Sequence, residues 1–184
     1  MFQTLKPKPK TNGSTCLLLD TSASMTERLT TNNEGLLPRR IDVLFQVVRD
    51  TPECSGLKTY TFGSECQPLE VIPSETESLN YHPYGGTDLA GAFSTVKADG
   101  FYNAILVTDG VPDSEIDALS AAVGMKLGII YIGNPPTPHF LQRLATATDG
   151  TFAIADMRTT GQLEDLIVRA LPPPETKPEG AIKL

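Results

Sequence analysis

The 184-residue chain predicts a doubly wound α/β fold, with a mostly parallel six-stranded sheet and helices on both faces. Three observations point there. Apolar runs of strand length alternate with stripes at helical spacing between residues 14 and 171. Two of those runs, Thr15–Leu19 and Tyr102–Thr108, are apolar almost throughout, as strands covered on both faces must be. Each of the two ends at an aspartate, Asp20 and Asp109.

The elements follow in order. The lead-in 1–13, with Lys6-Pro7-Lys8-Pro9-Lys10 and Asn12-Gly13, reads as an extended, solvated segment. Residues 14–171 form the folded domain. After the Thr15–Leu19 strand comes a polar loop through Asn32-Asn33-Glu34-Gly35, long enough to move when something binds. Pro38 then opens a helix striped by Ile41, Leu44, Phe45 and Val48, since proline suits a first turn. Leu57–Phe62 alternates at period two and predicts a half-buried strand. Pro68–Ile72 predicts a shorter one near an edge, because Pro68 has no N–H to give a ladder. Gly85-Gly86 breaks the chain before a helix striped by Leu89, Ala92, Phe93 and Val96, capped by Thr87 or Asp88. Beyond the Tyr102–Thr108 strand, Ile116, Leu119, Ser120 and Val123 mark a helix and Leu127–Ile132 a strand. Phe140, Leu141, Leu144 and Ala145 mark the next helix, Thr151–Ile154 the last strand, and Leu163, Leu166, Ile167 and Ala170 the closing helix. From 172 to 184 the Pro-rich segment reads as a tail.

Composition excludes several functions. With 15 Lys+Arg against 22 Asp+Glu, a net charge of −7, the chain offers no continuous positive field for a nucleic-acid backbone. No apolar run approaches the roughly 18 residues a membrane span needs. A soluble, cytoplasmic protein is the expectation. Three cysteines, at 16, 54 and 66, lack the close pairing of a zinc site, and a Cys54–Cys66 disulfide is left open.

In an open parallel sheet, ligands collect beyond the carboxyl ends of the strands, where the strand order reverses. Asp20 and Asp109 sit at such ends, and Gly85-Gly86-Thr87 turns into a helix beside them. Asp20-Thr21-Ser22-Ala23-Ser24 adds hydroxyls at alternate positions, so one short loop can aim several oxygens at a point. Carboxylates and hydroxyls without sulfur or imidazole suit a hard divalent cation: Mg²⁺ or Mn²⁺, with Ca²⁺ left open. The competing explanation is that the aspartates and serines merely cap turns. Three segments converging favour the ion.

These segments resemble the von Willebrand factor type A (vWA) domain. Its metal-ion-dependent adhesion site is written Asp-x-Ser-x-Ser, then a Thr in a later loop, then the Asp of a Thr-Asp-Gly segment. The chain supplies Asp20-Thr21-Ser22-Ala23-Ser24, Gly85-Gly86-Thr87 and Thr108-Asp109-Gly110. Leu127–Gly133 and Thr148–Phe152 resemble the family's fifth strand and its last helix–strand turn. Ala23 stands where many relatives have glycine. The chain is more similar to compact intracellular bacterial and phage forms, including the tellurium-resistance-associated group, than to integrin or collagen-binding domains. The resemblance implies that Ser22, Ser24 and Thr87 bind the ion through hydroxyls. Asp20 and Asp109 would neutralise it, directly or through water. One position would remain for an Asp or Glu carboxylate of a partner protein.

The resulting expectation is a non-enzymatic, metal-dependent protein-binding module, with neither nucleic acid nor membrane as partner. A permanent assembly subunit is the alternative. A phosphotransferase is disfavoured because Ser22 stands where its second aspartate would be. A hydrolase is disfavoured by the missing nucleophile-elbow glycines and histidine base. Glu27, Arg28, His82, Tyr84, Asp88, Pro112 and Asp113 fall on candidate rim loops. His82 can be explained by packing on Pro83 or by solvation alone.

Overall fold

The computed structural model describes residues 14–29 and 38–172. The expected lead-in, most of the polar loop before Pro38, and the tail from 173 onward lie outside the described residues.

One sheet in the order β3-β2-β1-β4-β5-β6 organises the chain. Its strands are β1 (Thr15–Asp20), β2 (Lys58–Phe62), β3 (Cys66–Leu69), β4 (Asn103–Thr108), β5 (Lys126–Tyr131) and β6 (Thr151–Ile154). All neighbours pair in parallel except β3, which runs antiparallel to β2 at the edge. The helices are α1 (Arg40–Asp50), α2 (Glu75–Asn80), α3 (Leu89–Ala98), α4 (Glu115–Ala121), α5 (His139–Ala147) and α6 (Thr160–Ala170). A 3-10 turn, Ala23–Thr26, follows β1, and another, Pro52–Cys54, follows α1.

Alternation along the strands divides the core in two. Cys16 and Leu18 of β1 face Leu89, Phe93, Phe140 and Leu144 of α3 and α5, together with Leu106 of β4. Leu17 and Leu19 face Ile41, Phe45, Leu163 and Ile167 of α1 and α6. Those four β1 side chains are fully buried, which explains an apolar run with no polar face. Strand order reverses between β1 and β4, whose register pairs Leu19 with Val107, so Asp20 and Asp109 emerge side by side from the two central strands.

Several elements depart from the expectation. β2 is covered on both faces from Thr59 to Phe62, rather than half-buried, because it lies inside the sheet. β3 begins at Cys66 and leaves Val71 and Ile72 outside; Pro68 is accommodated because its strand is an edge. Helix α2 is additional. Ser74 and Glu77 form a capping box there, with Ser74 Oγ accepting from Glu77 N and Glu77 Oε2 accepting from Ser74 N at 2.9 Å. In α4 the buried face is Ala118, continued by Ala122; of the expected stripe Leu119 packs partly against the core, while Ile116 and Val123 are 81% and 72% exposed. Small side chains let α4 approach α3 closely. Asp88, not Thr87, caps α3, accepting from Gly91 N at 2.9 Å.

All three cysteines are free. Cys54 packs under α1 and Cys66 against the opposite face, so the sheet separates them and the candidate disulfide does not form. Among the described residues no helix is long and apolar enough to cross a membrane.

Candidate metal centre

Three loops meet at the carboxyl ends of β1 and β4. The loop after β1 is pinned to its neighbours: Thr21 N and Oγ1 both donate to Phe62 O, Tyr84 N donates to Thr21 O, and Ala23 N donates to Gly85 O. Gly85 permits this crossing. Its φ is +79°, and a Cβ there would collide with the Ser64 hydroxyl. The loop carrying Thr87 is tied in turn to the one after β4, through Thr87 N to Asp113 Oδ1 at 3.0 Å and Asp113 N to Thr87 O at 3.1 Å.

Within this frame Asp20 is fully buried. Its Oδ1 accepts from Ser22 N at 2.8 Å and its Oδ2 from the Thr108 hydroxyl at 2.5 Å. Burial pushes its carboxyl up to about 6. The Ser22 and Thr108 hydrogen bonds pull the other way, and the Asp109 charge adds to the rise. The Ser22 and Ser24 hydroxyl oxygens lie 3.1 Å apart, and Ser24 Oγ donates to Asp109 Oδ1 at 2.6 Å. Thr87 Oγ1 is 4.0 Å from where a Cβ on Gly110 would be, so it borders the Asp109 loop; its hydroxyl has no hydrogen-bond partner among the described residues. Ser22, Ser24 and Asp109 thus converge directly. Asp20 joins them through Ser22 N, and Thr87 reaches them through the Asp113 tie and Gly110.

Three further residues support the site: Asp113, expected on the rim, and Thr108 and Arg40, for which the sequence predicts no role of their own. Thr108 holds Asp20, and Asp113 holds the Thr87 backbone. Arg40, in the first turn of α1, places Nη1 2.7 Å from Asp109 Oδ2 and Nη2 2.8 Å from Glu27 Oε2; its side chain is only 6% exposed. Thr108 adjoins Asp109 in the motif, and its hydroxyl was the available signal. Arg40 is signalled only by its oddity, a cation at the positive end of a helix dipole. Of the rim candidates, Glu27 is engaged by Arg40, Asp88 by its helix, and Pro112 is buried, while His82, Tyr84 and Asp113 are exposed.

Among the described residues no three His, Cys, Asp or Glu side chains form a metal-holding group. The candidate set is instead two carboxylates and three hydroxyls, and its chemistry fits a small hard cation. Neighbouring ligands about 2.1 Å from an octahedral Mg²⁺ lie about 3.0 Å from one another. The Ser22–Ser24 and Ser24–Asp109 oxygen separations, 3.1 and 2.6 Å, bracket that value.

Comparison of the sequence with protein-family models and with curated proteins gives no match. Solved structures do match. A von Willebrand factor type A protein from Catenulispora acidiphila is 18% identical over 86% of this chain and 42% of its own, with a TM-score of 0.60. The fold is that of a vWA domain. Manganese-loaded Plasmodium vivax TRAP protein shares it at 22% identity over 84% of this chain and 72% of that one, with a TM-score of 0.57. The Deinococcus radiodurans RO (RSR) protein does so at 16% identity, covering 83% of this chain and 35% of that one, with a TM-score of 0.50. The vWA fold accounts for the strand order and for the position of the candidate residues at the sheet's switch point.

Proposed function

We propose that this vWA-fold chain is a non-enzymatic, metal-dependent protein-binding module. Asp20, Ser22, Ser24, Thr87 and Asp109 form its metal-ion-dependent adhesion site, holding Mg²⁺ or Mn²⁺. The observation that carries the reading is the convergence of the Ser22, Ser24 and Asp109 oxygens at hydrogen-bond distances beside the buried Asp20. The manganese bound by the TRAP protein of the same fold supports the choice of ion.

When bound, the ion supplies an electrophilic position to which an Asp or Glu carboxylate of a partner adds. The chain's own residues do the rest. Thr108 and Ser22 N fix both oxygens of Asp20, so that carboxylate cannot rotate away. Ser24 and Arg40 fix Asp109 in the same manner. Gly85 O, accepting from Ala23 N, holds the Thr87 loop against the Ser22–Ser24 loop, and Asp113 ties it to the loop after β4. Neither serine has a histidine partner; Ser22 and Ser24 pair with each other, and Ser24 donates to Asp109, itself held by Arg40, which suits ligands rather than nucleophiles.

Calorimetric titration of Mg²⁺ and Mn²⁺ into chelator-treated protein, alongside Asp109→Ala, tests the assignment. One saturable site, lost in the variant, is expected. Equal metal affinity in the two chains would overturn it.

A further inference from the structure

The buried Arg40 has no place in the ligand set, yet it takes one of the two oxygens of Asp109. Its position is electrostatically costly in two respects. The side chain is about as buried as the core around it, and it sits in the first turn of α1, where the helix dipole disfavours positive charge. Two carboxylates offset that cost: Asp109 at 2.7 Å, whose side chain is fully buried, and Glu27 at 2.8 Å, which is 56% exposed. Arg40 N also donates to Glu27 O at 3.0 Å, so both backbone and side chain fasten α1 to the end of the 3-10 turn that carries Ser24.

Charge counting gives this contact its consequence. Glu27 is more than half exposed, so solvent screens it, and the buried groups Asp20, Asp109 and Arg40 together carry a net charge of −1. A divalent cation added to that buried set leaves a surplus of +1, whereas the two aspartates alone would neutralise it. We propose that Arg40 acts as an internal counter-cation, weakening the site for its ion alone and making tight binding depend on one further carboxylate. The inference rests on the metal-site reading above and concerns how that site is regulated.

The test compares wild type, Arg40→Gln, Arg40→Lys and Asp20→Ala by calorimetric Mn²⁺ titration and by the Mn²⁺-induced shift in melting temperature, with and without acetate as a free carboxylate. In Arg40→Gln, Mn²⁺ should bind at least about tenfold more tightly than in wild type, with a larger melting shift and a smaller gain from acetate. Arg40→Lys, which keeps the charge, should stay within a fewfold of wild type. Removing Arg40 strands a buried Asp109, so Arg40→Gln can unfold in chelator; recovery of the fold on adding Mn²⁺ then supports the proposal, because the ion replaces the lost cation. A chain that stays unfolded in saturating Mn²⁺, or an Arg40→Gln affinity equal to or weaker than wild type, overturns it. If wild type binds Mn²⁺ and Asp20→Ala does not, such a failure belongs to Arg40 alone. Absence of binding in every chain would overturn the metal site as well.

Discussion

Asp20→Asn should stabilise the metal-free protein at neutral pH. Asp20 is fully buried, and its carboxyl is pushed up to about 6 from an ordinary 3.8, so at pH 7 the folded chain holds a charge that the interior disfavours. That displacement corresponds to about 3 kcal/mol. An asparagine keeps the geometry: its amide oxygen accepts from Ser22 N, and its amide nitrogen donates to Thr108 Oγ1. For a chain of this size 1 kcal/mol is roughly 2–4 °C of melting temperature, giving an upper bound of about 6–12 °C. Between pH 4 and 6 the folded wild type binds a proton that the unfolded chain has released. Its stability from this group is therefore complete below the unfolded value and lost as pH rises through about 6. The variant does not titrate there, so its advantage should be full at pH 7 and vanish by about pH 4. Melting of chelator-treated wild type and variant across that range is the assay. A variant no more stable than wild type at pH 7, or a difference independent of pH, would refute the argument.

Two further outcomes are expected. Thr108→Val removes the donor to a fully buried carboxylate oxygen without changing side-chain shape, and should cost about 1–3 kcal/mol in urea denaturation of the metal-free chain. Native protein at pH 8 should react slowly with a thiol reagent and release three thiols on unfolding without reductant, because all three cysteines are free and burial pushes Cys16 up to about 12 and Cys54 and Cys66 up to about 11.

The parts of the fold legible in the sequence were those where one physical demand dominates. Strands buried on both faces must be apolar throughout, so β1 and β4 announced themselves, and the aspartates that end them marked the edge of the sheet. Stripes in α1, α3 and α5 read correctly because large side chains form their buried faces. In α4 small alanines take that role, and hydrophobicity then favours the exposed Ile116 and Val123 over the true contact. Helix α2 spans only six residues, and its one strong signal is the Ser74–Glu77 box rather than a period. At the candidate site the three segments that carry the motif were legible, and the fold brings Ser22, Ser24 and Asp109 together beside Asp20. Arg40 was not legible, since an arginine opening a helix reads as solvent-facing until the fold brings Asp109 to it from 69 positions away.

The adjacency of β1 and β4 also determines where tension would enter the molecule. Asp20 and Asp109 leave the two middle strands of the sheet, and each of those strands is hydrogen-bonded along both sides, β1 to β2 and β4, β4 to β1 and β5. A pull delivered at their tips runs along the strand axes, so the ladders bear it in shear, many bonds at once, instead of unzipping one by one from an edge. A grip at that point loads the most mechanically resistant part of the architecture and spares β3 and β6, the strands that would peel first.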